Sequence, residues 1–286
     1  MMPPPAGAST PISVPEPVPK LLRDLVHERL GLYFEPSRFD TMLEKIEPRA
    51  VFHQCPSYLD YYYILKYDAR APEEWRRLMD AFSVQETYFW REVDQIRLLV
   101  DEIVPEWFAR ESGPLRIWSA ACATGEEPYS IAMALAEAGW GDHPIEIVAS
   151  DASESALAKA ESAVYRDRSF RALPPGLRER YFEAEGDGFR LRRAIARKVS
   201  FRWANLVDAA TYDDLGHFPV IFCRNVFIYF SPTAIRRVVD AFADRMPPDG
   251  DLFVGASESL LKVTERFELV DRSGTFVYVH KGKPDA

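Results

Sequence analysis

Cysteine is scarce in this chain: Cys55, Cys122 and Cys223 are its three, widely spaced and without a CxxC pair. An odd, scattered set builds neither a disulfide framework nor a zinc site, so no metal is expected and a reducing compartment fits. A basic surplus is missing as well. The formal net charge of −9 leaves nothing to neutralise phosphates, which argues against a nucleic-acid partner. No hydrophobic run approaches the roughly 18 residues of a membrane span. The N-terminus shows no basic region followed by an apolar core, so no signal peptide is read there. These absences lead to the expectation of a cytoplasmic protein, monomeric by default, with no membrane insertion. What is present is ordinary globular material, 47% hydrophobic and 13% aromatic, in a length of 286 residues that suits one large domain or two modest ones.

Prolines crowd residues 1–19 with little apolar content between them, so this stretch reads as a disordered, polyproline-leaning tail. Residues 20–92 read as an all-α N-terminal domain. Leu21, Leu22, Leu25, Val26 and Leu30 form a stripe that stops at Gly31. Phe39, Met42, Leu43 and Ile46 repeat at helical spacing, as do Trp75, Leu78, Met79 and Phe82, with an aromatic-rich helix from Tyr58 to Leu65 between them. Residues 93–112 read as a connector helix, halted by Pro105, and a linker.

Over residues 113–286 the period changes. Strand-like runs at 115–122, 146–151, 219–223, 251–256 and 275–280 are mostly separated by helical patterns at 128–138, 153–164 and 231–246. That alternation implies an α/β domain with a mainly parallel sheet and helices on both faces. The last run closes a hairpin with Leu269 and Val270, and is expected as an antiparallel edge strand. Residues 176–204 interrupt the alternation as a small antiparallel β insert carrying Arg190, Arg192, Arg193, Arg197, Lys198 and Arg202. It is either an edge strand guarded by charge or a docking surface for an acidic partner.

The chemistry concentrates at the ends of the strands. The buried run from Leu115 to Cys122 gives way to a turn at Thr124-Gly125 and then to an apolar helix, the usual cradle for a nucleotide-like cofactor. Glu126 and Glu127 flank its mouth and would repel a pyrophosphate, which argues against NAD or ATP and for a cationic, hydroxyl-bearing ligand such as S-adenosylmethionine (AdoMet). Pro128 favours a helix that starts at its own position, leaving Glu127 for a ligand instead of a Thr124 capping box. The next strand ends in Asp151, where a carboxylate can accept from both hydroxyls of a ribose or can simply cap the following helix; Ser153 is the expected N-cap. The run from Phe218 ends in Arg224-Asn225, at the strand end where open α/β sheets bind ligands, and Tyr229 offers a hydroxyl. Thr87 and Arg91, in Gln85-Glu-Thr-Tyr-Phe-Trp-Arg91, share a face if the segment is helical.

Together these segments, with Asn205-Leu206 and Gly255-Ala-Ser-Glu-Ser-Leu260, resemble the chemotaxis receptor glutamate methyltransferases, the CheR family, over residues 20–281. The resemblance implies a Rossmann-like AdoMet-dependent methyltransferase domain that methylates glutamate carboxylates on the acidic cytoplasmic helices of chemoreceptors, releasing S-adenosylhomocysteine. It implies cofactor contacts at Thr87, Arg91, Glu127, Asp151, Asn205, Leu206, Arg224 and Asn225. Gln85, Ala121 and Gly125 complete the expected cofactor set. It also moves Arg91 from domain junction to lid, with Arg91 and Tyr229 flanking the reacting carboxylate as the expected catalytic pair. Gln85, Ala123 and Ser153 stand where the family commonly has Asn, Ser and Asp. The short Glu183–Gly188 loop implies no grip on a receptor's C-terminal pentapeptide. A methyltransferase for another carboxylate, or an AdoMet-binding regulatory module, are the competing readings.

Overall fold

A computed structural model describes residues 17–110 and 113–282. The proline-rich stretch lies outside the described residues up to position 16; Val18 and Pro19 already belong to the first helix. The chain divides into two compact units, Met1–Phe82 and Ser83–Ala286.

The first unit is helical: α1 Val18–Leu30, α2 Phe39–Phe52, α3 Tyr58–Tyr67 and α4 Ala71–Phe82. Gly31 ends α1 in the left-handed region (φ 74°), its N–H on the His27 carbonyl. Ser57 and Asp60 form a reciprocal capping box that starts α3. Leu22, Val26, Met42, Ile46, Tyr61 and Leu78 meet in the core. One ionised side chain shares that interior. Glu74, 2% exposed, accepts from Arg49 (2.8 and 2.6 Å), Tyr61 (2.6 Å) and His53 (2.7 Å).

Residues 83–92 are not helical and belong to the second unit, so the boundary falls ten residues before the expected one. The connector that follows does not stop at Pro105. Helix α5 (Val93–Leu98) widens into a π-helical turn at Leu99–Ile103 and continues as α6 (Val104–Arg110). The Val104 N–H reaches back to the Leu99 carbonyl, and this shift of register carries the helix past a residue that has no N–H to give.

Strands of the second unit are β1 Leu115–Ala120, β2 Ile145–Asp151, β3 Val164–Tyr165, β4 Phe182–Glu185, β5 Gly188–Leu191, β6 Val199–Trp203, β7 Val220–Phe222, β8 Asp251–Phe253, β9 Phe267–Arg272 and β10 Thr275–His280. Seven of them form one sheet in the order β6-β2-β1-β7-β8-β10-β9, parallel from β6 to β8. Helix α7 (Glu126–Glu137) and α8 (Glu154–Ser162) follow β1 and β2, the short α9 (Pro175–Tyr181) and α10 (Arg193–Ala196) flank the insert, and α11 (Pro232–Ala243) follows β7. Successive β1 side chains alternate faces. Leu115 and Ile117 pack with Met133 of α7, while Trp118 and Ala120 pack with Val238 and Phe242 of α11.

Two sequence expectations need correction here. The basic run ending at Trp203 is not part of the antiparallel insert; it is the edge strand β6 of the main sheet, parallel to β2. The insert is the small sheet β3-β5-β4. Strand β10 is antiparallel as expected but is not an edge: it lies between β8 and β9, and β9 is the edge. Ser273 (φ 50°) and Gly274 (φ 82°) make the two-residue turn between β9 and β10, both left-handed as a tight hairpin requires.

Candidate active site

The carboxyl ends of β1, β2 and β7 converge with the segment 85–95. After β1 the backbone turns left-handed at every second residue: Ala121 (φ 59°), Ala123 (φ 48°) and Gly125 (φ 91°). In this coil the Cys122 N–H is taken by the Ser150 carbonyl (2.9 Å) and the Gly125 N–H by the Cys122 carbonyl (3.0 Å), and the Ala123 N–H is left for a carboxylate. Asp151 accepts from the Ala123 N–H (2.9 Å) with one oxygen and from the Ser153 N–H (2.8 Å) with the other. Helix α8 is capped by the Ser153 hydroxyl, which receives the Ala156 N–H at 3.1 Å, so Asp151 is not the N-cap. At Gly125 a Cβ would sit 2.8 Å from the Ala160 Cβ and 3.0 Å from the Tyr165 hydroxyl, which admits only glycine.

Helix α7 begins at Glu126, not at Pro128. Pro128 then occupies the third helical position, where the missing N–H is one of those with no intrahelical partner anyway. The two glutamates part company. Glu126 is buried and accepts from the Thr124 (2.6 Å) and Ser169 (2.9 Å) hydroxyls, so it is no part of an acidic lip. Glu127 stays at the mouth without capping the helix, held by the Ser119 hydroxyl (2.7 Å) and Arg224 Nε (2.7 Å).

Arg224 is the hub. Its side chain is 2% exposed and, besides Glu127, donates from Nη1 to the carbonyls of Arg91 (3.1 Å) and Glu92 (3.3 Å) and to Gln95 Oε1 (3.1 Å). A guanidinium so enclosed acts through these partners. The segment it grips is anchored elsewhere by the Phe89 N–H on the Ser169 carbonyl (2.9 Å) and the Trp90 N–H on the Ser130 hydroxyl (3.1 Å). Trp90 (φ 67°) and Glu92 (φ 49°) are left-handed on either side of Arg91. Strain of this kind in residues other than glycine collects where the surroundings force it, typically around ligands. Arg91 is half-buried, bonded to the Glu86 carbonyl (3.1 Å), with its guanidinium over the Tyr88 ring. Thr87 is half-buried in the same non-helical stretch. Gln85 reaches the Ser155 hydroxyl (3.1 Å) at the start of α8.

Asn205 follows β6. Its N–H donates to Thr211 Oγ1 (3.0 Å) and its Oδ1 accepts from the Val207 N–H (3.3 Å). Leu206 is buried with its carbonyl on the Tyr212 hydroxyl (2.9 Å). After β7, Asn225 is left-handed (φ 60°) and donates from Nδ2 to Glu92 Oε1 (3.3 Å). Tyr229 is 36% exposed on the loop beyond. A cavity of about 410 Å³ is lined by Glu92, Gln95, Gly255, Glu258, Phe276 and Tyr278 among others. Burial, with Asp151 and Glu127 nearby, pushes the Cys122 thiol well above its ordinary value, so it stays protonated and is no nucleophile.

Residues 85–276 match the family described as CheR methyltransferase, SAM binding domain, and residues 20–83 match CheR methyltransferase, all-alpha domain. The chain belongs to the CheR methyltransferase family. It is an AdoMet-dependent methyltransferase with an all-α domain followed by a Rossmann-like domain. Chemotaxis protein methyltransferase 2 of Vibrio cholerae is 35% identical over 270 residues, 92% of this chain and 93% of that protein. Chemotaxis protein methyltransferase of Escherichia coli K12 is 34% identical over 254 residues, 87% of this chain and 86% of that protein. A probable biofilm formation methyltransferase WspC of Pseudomonas putida is 34% identical over 260 residues, 90% of this chain and 60% of that protein.

The donor set fits this cofactor. The Asp151 and Glu127 carboxylates have the chemistry to accept from a ribose diol and a cationic amino-acid end, and the Ala123 N–H that a phosphate could have used is taken by Asp151. Sequence reasoning missed Ser119, Gln95 and Glu258. Ser119 and Gln95 carry no local signal, since only the fold brings them to Glu127 and Arg224. Glu258 lay inside a recognised segment, where Gly255 three residues earlier was the signal of a close approach. The basic character of the insert region is largely spent internally. Arg190 pairs with Glu185, Arg192 with Glu183 (3.0 Å), Arg202 with Asp214, and Lys198 bonds the Gly141 carbonyl (2.6 Å).

No helix among the described residues is long and apolar enough to cross a membrane.

Proposed function

We propose that this methyltransferase esterifies glutamate side chains on the acidic cytoplasmic helices of chemoreceptors, working as a cytoplasmic monomer. The observation that carries the reading is the Arg224 hub, which ties Glu127 beside the cofactor turn to the backbone of Arg91 and to the strand leading to Tyr229. AdoMet, when bound, supplies an electrophilic methyl group on a sulfonium leaving group. Asp151 and Glu127 would hold its polar groups, with Gly125 and Ala121 allowing close backbone approach and Asn205, Leu206, Asn225, Gln85 and Thr87 lining the remainder. A glutamate of pKa about 4.3 is already ionised at neutral pH, so no general base is required. The chain's task is orientation. Arg91 steers the incoming carboxylate through charge-assisted bonds, and the Tyr229 hydroxyl fixes its angle. Arg91 sits half-exposed and so can release a product that has lost its charge.

Pentapeptide tethering is not part of this reading. The insert hairpin turns in two residues, Gly186 and Asp187, and offers no extended loop. Recognition falls to the helical unit and to the exposed Arg193 and Arg197. The decisive experiment incubates the protein with labelled AdoMet and receptor-enriched membranes. Alkali-labile label on a receptor is the expected result. Label on another protein or a small molecule, or cofactor binding without transfer, refutes it. Micromolar binding of a tethering pentapeptide refutes the untethered part alone. The similarity to a biofilm formation methyltransferase favours a second reading, in which the receptor serves surface-associated signalling; deleting the gene would then alter biofilm and spare swimming.

A further inference from the structure

The last bond between β7 and β8 runs from the Cys223 N–H to the Phe253 carbonyl (2.8 Å). Beyond it the two chains diverge, and the Glu258 carboxylate takes over the role of the ladder. One oxygen accepts from the Asn225 N–H (2.8 Å) and the Gly255 N–H (2.7 Å), one on each side of the gap. The other accepts from the Phe227 N–H (2.7 Å) and, more distantly, the Ile228 N–H (3.3 Å). The closeness depends on Gly255, where a Cβ would lie 2.8 Å from this carboxylate and 2.5 Å from the Asn225 amide. An ionised carboxylate accepting several backbone N–H groups forms strong, charge-assisted bonds. It therefore fixes the backbone at Asn225, Phe227 and Ile228, directly before Tyr229.

We propose that Glu258 is the positioning residue of the acceptor side: it holds Tyr229 at the angle from which the substrate carboxylate is presented. This rests on the receptor-methylation reading above. Both Glu258 oxygens are engaged by backbone N–H groups, and Asp151 and Glu127 are held by other groups. Glu258 is linked to the cofactor side through the Asn225 N–H, so its loss should appear far more in turnover than in cofactor affinity.

The test compares Glu258→Gln with the wild-type enzyme. The amide keeps the size but has one acceptor oxygen in place of two. Turnover on receptor membranes should fall by on the order of tenfold to a hundredfold, as for a reacting group displaced by about an ångström. AdoMet affinity by calorimetry should change less than about threefold. In a Tyr229→Phe background the same substitution should cost little more, because both act on one group. Amide exchange at Phe227 and Ile228 should quicken in the variant. An unchanged turnover, an affinity loss equal to the turnover loss, or full additivity with Tyr229→Phe overturns the proposal. A wild-type enzyme inert on every receptor would defeat the receptor reading, while amide exchange still decides whether Glu258 holds the loop; unchanged exchange overturns it. If Glu258→Gln does not fold, Glu258→Asp, which draws the carboxylate back by one methylene, takes its place in every comparison.

Discussion

Removing the Arg224–Glu127 pair tests whether the site is built as one unit. The Nε–Oε2 distance is 2.7 Å and the two side chains are 2% and 12% exposed, so neither charge has ready water to fall back on. Breaking such a pair from one side costs about 3–5 kcal/mol, because the other charge is left buried. Arg224→Met also strips donors from the carbonyls of Arg91 and Glu92 and from Gln95, and should lie at the upper end, about 5 kcal/mol. Glu127→Gln keeps an acceptor for the Ser119 hydroxyl and should cost about 3 kcal/mol. The double variant should lose less than the sum, with a coupling of about 2 kcal/mol or more. Urea unfolding followed by tryptophan fluorescence reads the right part of the molecule, since Trp90, Trp107, Trp118, Trp140 and Trp203 lie in the second unit and only Trp75 in the first. Additive losses, with coupling below about 0.5 kcal/mol, would refute the hub.

Arg91→Ala should reduce turnover more than AdoMet affinity; equal losses by single-turnover kinetics and calorimetry would remove its orienting role. Burial alone would raise the Glu74 carboxyl, but the bonds from Arg49, His53 and Tyr61 outweigh it and hold the pKa down at about 2, against an ordinary 4.5. The helical unit should thus keep this stabilisation above pH about 4.5 and lose about 3 kcal/mol as pH falls towards 2, a slope that Glu74→Gln should flatten in acid titrations followed by circular dichroism. Asp251 behaves oppositely: burial pushes it up to about 6 from 3.8 despite the nearby Arg272. Its contribution is fully present below pH about 3.8 and lost as pH rises through 6, so Asp251→Asn should stabilise the second unit by about 2–3 kcal/mol at pH 8 and be neutral below pH 4 in chemical denaturation.

Periodicity made the alternating strands and helices legible, because each strand is buried on a face that the helices cover. It misassigned β6, whose basic residues mimic a half-exposed hairpin. An edge strand of a parallel sheet also meets water on one side, and nothing local tells the two apart. Pro105 reads as a stop in one dimension, yet a change of helical register absorbs it at no visible cost in the sequence. At the site, Gly125 and Asp151 were legible because a turn and a strand tip each have a local signature. The roles of Arg224 and Glu258 were not: each is defined by partners brought in from distant stretches of chain. Glu126 and Glu127 look equivalent in sequence, and only the helix start one residue after Gly125 sends one to the core and the other to the mouth.

The position of β10 between β8 and β9 also orders events on the ribosome. Strand β9 has β10 as its sole neighbour, so it emerges with no partner and waits until residues 275–280 have been made. The helical unit needs nothing beyond Phe82 for its own core and can fold while the sheet is still being translated. The nascent methyltransferase therefore carries a finished helical unit well before it can close the sheet. A premature stop between Arg272 and Thr275 would leave β8 and β9 with open edges, a species for chaperones and proteases and not a partly active enzyme.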